Sequence, residues 1–392
     1  MRGGRSGEDA AGRPLWEVLG ICALATFLVG YGGSILFIAL PGVAAEFHAS
    51  VSQLAGLGAT LSVGSALALP LAAFADRRSR GAAAAAGIAG FSLAALATGL
   101  SHGLAGLAVA RLVAVGFETL VVAVATAAAL EVAGVASRGR TAAFIALSGG
   151  AGAGLSVTAY PLVAPHWRLL YFTAAAGLPL APLALRIPSG FQPRGHHYTV
   201  LLGAPWRTRV AVLVASSAMG ALLYEPANFF GTLFGSQAIH LAPAALSVVV
   251  AASGVAAAAG YAAGGILTDR AGRKVPGIVL SASTAVVAAL SFTAIPAVYV
   301  AAGVISSGLA GSAAPIIGAW TAELVPSRAR VTVFTTLGVA GSVGGVAGLQ
   351  LAAWLTPRFG LGGSLWVAGV VAVVGSLALV ALPETRGLPL PD

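Results

Sequence analysis

The chain has 392 residues, of which 58% are hydrophobic and only 8% are charged, and its mean hydropathy is +0.93. Soluble globular proteins carry about 25% charged residues, so this composition excludes an ordinary soluble domain. The net charge of +9 does not indicate nucleic-acid binding, because the basic residues lie in short turns between apolar runs and do not gather into one patch.

Twelve apolar runs follow one another, and at roughly 20 to 28 residues each can cross about 30 Å of hydrocarbon as a helix. They predict an all-α membrane protein with twelve transmembrane helices. Arg2, Arg5 and Arg13 precede the first run, as in a signal peptide. That run is longer than the roughly 7–15 apolar residues of such a peptide, so we interpret it as a membrane helix, with a cleaved signal as the alternative. The predicted spans are 16–40, 51–75, 82–101, 104–131, 141–164, 167–187, 210–236, 242–267, 275–294, 296–323, 331–356 and 362–382.

Charged motifs occur twice along the chain. The pattern Asp-Arg-x-x-Arg occupies 76–80 and again 269–273, an offset of 193, and a Glu–Arg pair spaced by seven residues recurs with an offset of 192. The repetition predicts two pseudo-symmetric six-helix bundles, 1–187 and 210–392, joined by a cytoplasmic linker at 188–209. Duplicated bundles are the architecture of secondary transporters, whose substrate site lies between the repeats.

The basic residues are distributed asymmetrically. The gaps between successive predicted spans lie alternately on the two sides of the membrane. Of the 21 Lys and Arg residues, 18 fall on one side, which includes the N-terminal segment, the central linker and the C-terminal segment. Basic residues concentrate on the cytoplasmic side of membrane proteins. We therefore expect a multi-pass protein of the cell inner (plasma) membrane with both termini in the cytoplasm.

The segment Gly265–Lys274, with the sequence Gly-Ile-Leu-Thr-Asp-Arg-Ala-Gly-Arg-Lys, closely matches a loop motif that the major facilitator superfamily carries after helices 2 and 8. The first copy departs from this pattern at Ala72, where glycine is usual. Two further segments, Thr321–Arg330 and Pro383–Gly387, resemble the sugar and metabolite porter branches. The chain therefore resembles this superfamily over its whole length. The resemblance implies a small organic solute that is moved by alternating access.

The charges of these motifs form a candidate cytoplasmic gate. Acid–base pairs such as Asp76 with Arg138, or Asp269 with Arg330, are expected to latch the inner side; the alternative is that they only fix topology and solubilise the loops. Cations near a helix C-terminus are favoured in either case. The gate candidates are Asp76, Arg77, Arg80, Glu131, Arg138, Asp269, Arg270, Arg273, Glu323, Arg330, Glu384 and Arg386.

Three charges lie deep within predicted membrane spans, away from the span ends: Arg111, Glu118 and Glu225. A charge at mid-bilayer costs roughly 2.5–3.5 kcal/mol and is a functional candidate, here for proton coupling or substrate binding. Arg111 and Glu118 are seven residues apart, so they lie within about 20° of one helix face and roughly 10.5 Å apart along the axis. We expect direct contact to be stretched, with room for substrate or water between the two side chains. The alternative is a structural ion pair.

Glu225 precedes Pro226, and proline disfavours helix at the residue before it. The sequence predicts a helix break that places Tyr224, Glu225 and Asn228 on a cavity; Glu225 as an outer gate or structural partner is the alternative. Weaker pocket candidates are single polar or aromatic residues in the spans, which elsewhere often serve only packing: Tyr31, Tyr160, Tyr224, Trp320 and Gln350.

These features favour a proton-coupled symporter of a small organic solute, and Arg111 suggests that the solute is anionic. The Pro-Glu-Thr-Arg-Gly segment supports symport, whereas Ile38–Pro41 with Glu46 resembles drug exporters, so a drug/proton antiporter is the alternative. An enzyme is not expected, since few catalytic groups lie at depth. The glycine-rich run at 149–154 follows no strand and predicts helix packing, not a phosphate loop. We expect a monomer with small-molecule substrate, proton and lipid partners, and no cofactor, metal or nucleic acid.

Overall fold

The computed structural model describes residues 15–64, 79–132, 138–164, 166–188, 206–325 and 330–386, and within these ranges every regular element is helical. Membrane-spanning chains must satisfy their backbone polar groups internally, and a helix does so within one segment. The α-helices are α1 (Leu15–Glu46), α2 (Val51–Gly64), α3 (Arg80–Gly99), α4 (Leu104–Val132), α5 (Arg138–Val163), α6 (Arg168–Ala175), α7 (Trp206–Gln237), α8 (Pro243–Ala271), α9 (Lys274–Leu290), α10 (Pro296–Leu324) and α11 (Arg330–Ala378).

Eight helices in the described ranges are long and apolar enough to cross a membrane. The predicted spans 51–75, 141–164 and 275–294 are not among them. The first is described only as far as residue 64, and the third is the 17-residue helix α9. The last two predicted spans form one element, α11, which is broken at Gly360, where φ is 68° and ψ is 170°. Glycine has no Cβ and adopts this backbone conformation without strain.

The predicted span 167–187 is an α-helix only in its first half. α6 ends at Ala175, and a 3₁₀ helix follows over Leu178–Arg186. This segment contains prolines at 179 and 182. A proline removes a backbone donor and clashes with the carbonyl one turn earlier, so a regular α-helix does not continue through the pair.

The described residues divide into two compact units. One unit lies within 1–42 and 63–193, and the other lies within 43–62 and 194–392. The predicted bundle boundary at the central linker therefore differs from this division in one respect, since residues 43–62 belong with the second unit. Helices α4 and α10 have 29 residues each, and their bounds differ by 192 residues. This is the offset of the repeated Glu–Arg pair.

Glycines allow several helix pairs to approach at backbone distance. In the first unit, a Cβ added at Gly30 or Gly152 would collide with the carbonyl oxygens of Gly149 and Phe27, respectively, across the contact of α1 with α5. The glycine-rich run of α5 therefore packs helices, as predicted. In the second unit, a Cβ at Gly348 in α11 would collide with the carbonyl of Leu222 in α7. Small residues at such contacts drive helix association where no hydrophobic effect operates.

We expect Gly348→Ala to lower the midpoint of thermal unfolding, because the new methyl group must push α11 away from the α7 backbone. Overpacking of this kind costs about 1–3 kcal/mol. The matched control is Gly338→Ala in the same helix, where an added Cβ meets nothing within 4 Å. Equal stability of the two variants would contradict the close approach of α7 and α11.

Candidate transport and gating sites

Arg111 and Glu118 form a direct ion pair inside the first unit. Arg111 Nη1 donates to Glu118 Oε1 at 3.1 Å, and the exposed fractions of the two side chains are 2% and 13%. The expectation of a stretched contact with substrate or water between the groups is therefore wrong. The two Cα atoms lie two turns apart, and the long arginine side chain bridges this separation along the helix.

Three helices enclose this pair. A Cβ added at Gly33 in α1 would stand 3.3 Å from Glu118 Oε2, so the carboxylate lies directly against the α1 backbone. On the other side, the Tyr171 ring in α6 has its centroid 5.8 Å from Arg111 Cζ, at cation–π distance. Both Arg111 Nε and the Tyr171 hydroxyl are buried without a hydrogen-bond partner among the described residues. Two polar groups at this site, the Arg111 Nε–H and the Tyr171 hydroxyl, are thus without a hydrogen bond in the described part of the chain.

The second unit contains a cavity of about 460 Å³, formed by α7, α9, α10, α11 and the short 3₁₀ helix at Leu379–Ala381. Tyr224 and Glu225 line it, and the Tyr224 hydroxyl donates to the backbone oxygen of Ser281 at 3.3 Å. The predicted association of these two residues with a cavity thus agrees with the geometry. Asn228 is exposed on α7 and is not among the residues that line this cavity.

The predicted helix break at Glu225 is wrong. α7 runs without interruption from Trp206 to Gln237 and contains Pro226 in its interior. Membrane helices tolerate proline because neighbouring helices and hydroxyl side chains can satisfy the freed carbonyl. Glu225 reaches the cavity from a continuous helix, and it packs against α11 at Gly345, where an added Cβ would collide with its side chain.

The weaker pocket candidates lie in different surroundings. The Tyr31 hydroxyl is hydrogen-bonded to that of Thr173 at 2.7 Å, and Tyr160 is buried. Trp320 is fully buried in a hydrophobic cluster, and its indole N–H donates to the backbone oxygen of Pro383 at 2.9 Å. Gln350 is exposed on α11. Of these five candidates, Tyr224 alone is among the described residues that line the cavity.

Arg273 and Glu323 connect α9 with the end of α10. Arg273 Nη2 donates to Glu323 Oε1 at 3.0 Å, and Arg273 Nε donates to Glu323 Oε2 at 3.2 Å. The guanidinium therefore binds the carboxylate in a bidentate manner. The Thr385 hydroxyl, beyond α11, donates to Glu323 Oε2 at 2.5 Å. Bidentate, charge-assisted contacts are stronger than neutral hydrogen bonds and fix geometry. Three gate segments are therefore held together within the second unit.

Glu384 caps the N-terminus of α9. Its carboxylate accepts from the backbone N–H groups of Arg273 and Lys274 at 3.1 Å and 2.9 Å, and from those of Thr385 and Arg386 at 2.9 Å and 3.0 Å. Slight burial would raise the pKa of this carboxyl, but the four backbone donors prevail and hold its pKa below the ordinary value. The positive end of the helix dipole favours an anion at this position.

The other gate candidates contribute less to the described geometry. Arg80 begins α3, and Arg270 and Arg386 are exposed. Asp76 and Arg77 lie outside the described residues. Four more lie in described helices, but their side chains are outside the described part: Glu131, Arg138, Asp269 and Arg330. The latch pairs Asp76–Arg138 and Asp269–Arg330 therefore stay predictions.

Sequence reasoning missed two hydroxyl groups. Tyr171 beside Arg111 was not predicted, because a single aromatic in a membrane helix is usually packing. Thr321, which lines the cavity of the second unit, is 1% exposed, and its hydroxyl has no hydrogen-bond partner among the described residues. Thr321 was noted only within the loop motif after α10. The sequence signal for it is a threonine two residues before Glu323, the acid of that motif, and this signal is weak by itself.

The long apolar helices define a multi-pass membrane protein. The family model of the Major Facilitator Superfamily matches residues 22–236 and 211–391. The chain belongs to this family, and it is a transporter, not an enzyme. The expected all-α fold of twelve transmembrane helices in two six-helix bundles is confirmed at the level of the family.

Several solved structures have this fold. A bacterial homologue of the human lysosomal transporter Spinster, inward-facing and unoccupied, is similar with TM-score 0.77 and 17% identity, over 96% of this chain and 97% of that one. A D-xylose–proton symporter has TM-score 0.75 and 16% identity over 96% and 99%. The nucleoside transporter NupG has TM-score 0.73 and 14% identity over 93% and 98%. No curated protein sequence matches the chain.

We expect Arg111→Met to destabilise the protein by about 3–5 kcal/mol, because it leaves the Glu118 carboxylate buried without its cation. The double variant Arg111→Met/Glu118→Gln should recover most of this loss, since neither remaining group is charged. Thermal unfolding of the purified proteins measures both effects. Wild-type stability of the single variant would show that the ion pair is not enclosed.

Glu384→Gln should lower thermal stability at neutral pH, because the amide replaces a charged acceptor of four N–H groups. A depressed pKa in the folded state gives stability that is fully present above the unfolded pKa of about 4.3. This stability is lost as the pH falls through the folded pKa. The unfolding midpoints of wild type and variant should therefore converge in acid. A difference that is independent of pH would contradict the assigned role of the charge.

Proposed function

We propose that this protein is a secondary active transporter that couples uptake of a small organic solute to protons by alternating access. The observation that carries the proposal is the enclosed pair of Arg111 with Glu118. A carboxylate held in hydrocarbon beside a fixed arginine can exist charged and paired, or protonated and neutral. These are the two states that a proton-coupling group needs.

Coupling follows from the fact that one guanidinium serves two partners. While Glu118 is charged, it occupies Arg111 Nη1. Protonation of Glu118 weakens this ion pair and leaves the guanidinium, together with the unpartnered Arg111 Nε and Tyr171 hydroxyl, available to an acceptor on the solute. Proton and solute then favour each other's binding reciprocally. This reasoning favours a solute with an anionic or strongly hydrogen-bond-accepting group.

The gate residues would transmit this event to the inner side. We assign Arg273, Glu323 and Glu384 to a cytoplasmic latch whose contacts form in one state of the cycle and separate in the other. Basic residues in the alternating gaps support an orientation with both termini in the cytoplasm of a plasma-membrane protein. The D-xylose–proton symporter among the similar structures supports symport as a chemistry of this fold.

The direction of coupling is tested in proteoliposomes with a trapped pH dye, to which organic acids, sugars and cationic drugs are added outside in turn. We expect acidification of the lumen with one solute class, organic acids first. Alkalinisation of a preset acid lumen by drug-like cations would instead establish a drug/proton antiporter. If no solute class changes the lumenal pH, proton coupling is refuted for the solutes tested.

With the responding solute, Glu118→Gln should abolish accumulation driven by a pH gradient while it preserves exchange of labelled for unlabelled solute. The amide resembles the protonated carboxyl in shape and charge, so solute still binds and crosses but no proton is released. The matched control is Glu17→Gln, which removes the acid of a partly exposed pair, 3.8 Å from Arg186. Such pairs contribute little. Full gradient-driven accumulation by Glu118→Gln would refute the role of Glu118.

A further inference from the structure

The 460 Å³ cavity of the second unit has the size and the mixed lining that are typical of small-molecule sites. Its volume falls within the roughly 300–1,000 Å³ of small-molecule sites, which combine an apolar lining with a few placed polar groups. The apolar part comes from aliphatic side chains that include Ala310, Ala314 and Ile317 of α10. The polar part consists of the Glu225 carboxylate and a set of hydroxyls: Ser216, Ser217, Tyr224, Ser281, Thr284, Thr321 and Ser376.

The charge balance of this cavity is one-sided. Glu225 is an acid, and no basic side chain is among the described residues that line the cavity. In the first unit, the buried acid Glu118 has Arg111 as its resident cation. With the 192-residue offset of α4 and α10, the counterparts of Arg111 and Glu118 are Gly303 and Ala310. In the second repeat, the counterpart of Glu118 is thus Ala310, which lines the cavity together with the Glu225 carboxylate of α7. The counterpart of Arg111 is a glycine, so this repeat has no arginine at that position.

The hydroxyl of Thr321 is a second, independent observation. Thr321 is 1% exposed and lines the cavity, and its Oγ1 has no hydrogen-bond partner among the described residues. Other hydroxyls of the cavity are engaged: Thr284 donates to the carbonyl of Leu280 at 2.7 Å, and Ser217 donates to that of Leu337 at 3.0 Å. A buried polar atom without a partner costs free energy that a ligand would recover.

We propose that this cavity is a binding site for a small organic cation, a protonated amine on a compact apolar body. The ammonium group binds the Glu225 carboxylate, a second polar atom of the ligand bonds the Thr321 hydroxyl, and the body packs against the alanines of α10. The ligand supplies the positive charge that none of the described lining residues carries. The site lies wholly within the second unit, so it does not rest on proton coupling at Glu118.

The test uses the full-length purified protein and a fluorinated benzylamine as probe, with binding followed by fluorine NMR. Fluorinated benzyl alcohol has nearly the same shape without the charge. We expect the amine to bind at least tenfold more tightly than the alcohol. Glu225→Gln should remove this preference by weakening amine binding at least tenfold. Equal affinity for amine and alcohol, or an unchanged affinity in Glu225→Gln, overturns the proposal.

Two further variants separate the cavity from a surface charge effect. Ala314→Leu extends a side chain from the lining into the cavity and should abolish binding of the amine by occupying its volume. Thr321→Val keeps the shape of the side chain, removes the hydroxyl and should weaken a hydroxyl-bearing amine probe more than benzylamine itself. If Ala314→Leu does not fold, the Thr321→Val comparison decides, and equal weakening of both amines refutes the assigned contact.

Glu118→Gln separates this proposal from the transport mechanism. We expect it to leave amine binding unchanged, because Glu118 is not among the described residues that line the cavity. Loss of gradient-driven uptake together with retained amine binding supports two distinct sites. Loss of amine binding in Glu118→Gln overturns the independence of the cavity, whatever the outcome of the transport assay.

Discussion

Hydrocarbon offers no hydrogen bonds, and this constraint determines most of the structure. Every regular element of the described ranges is a helix, since a helix satisfies its own backbone groups. The hydrophobic effect does not bring helices together in lipid, so association depends on close packing. Glycines supply it: Gly30, Gly152 and Gly348 each place one helix against the backbone of another.

The same constraint makes each charge within a membrane span informative. Glu118 is tolerated because Arg111 pairs with it at 3.1 Å and Gly33 leaves room for its second oxygen. Glu225 has a different solution, since it lies on a cavity among hydroxyl groups with no lining cation in the described part. Duplication produced two similar bundles, yet their acids have separate environments. Glu118 has a basic partner on its own helix, whereas Glu225 has none among the described residues that line its cavity.

The charges predicted for the cytoplasmic side make a different kind of contact. Near the end of α10 and the start of α9, carboxylates connect separate segments of the second unit through hydrogen bonds. Glu323 receives two nitrogens of Arg273 and the hydroxyl of Thr385, while Glu384 closes the first turn of α9. Bidentate, charge-assisted contacts of this kind fix the geometry of the groups that they join.

The sequence by itself determined the class of fold, the approximate positions of most helices, the repeat and the superfamily. These depend on local properties: the transfer free energy of apolar runs, the position of basic turns and the spacing of charged motifs. It also identified Arg111, Glu118 and Glu225, because a charge within an apolar run can be recognised without knowing which way the helix faces. Only the tertiary structure decided their partners. The direct Arg111–Glu118 contact, the unbroken α7 at Pro226, the packing role of Trp320 and the cavity hydroxyl of Thr321 depend on which helix faces which. Those faces are set by packing between segments far apart in the chain, and no local pattern encodes them.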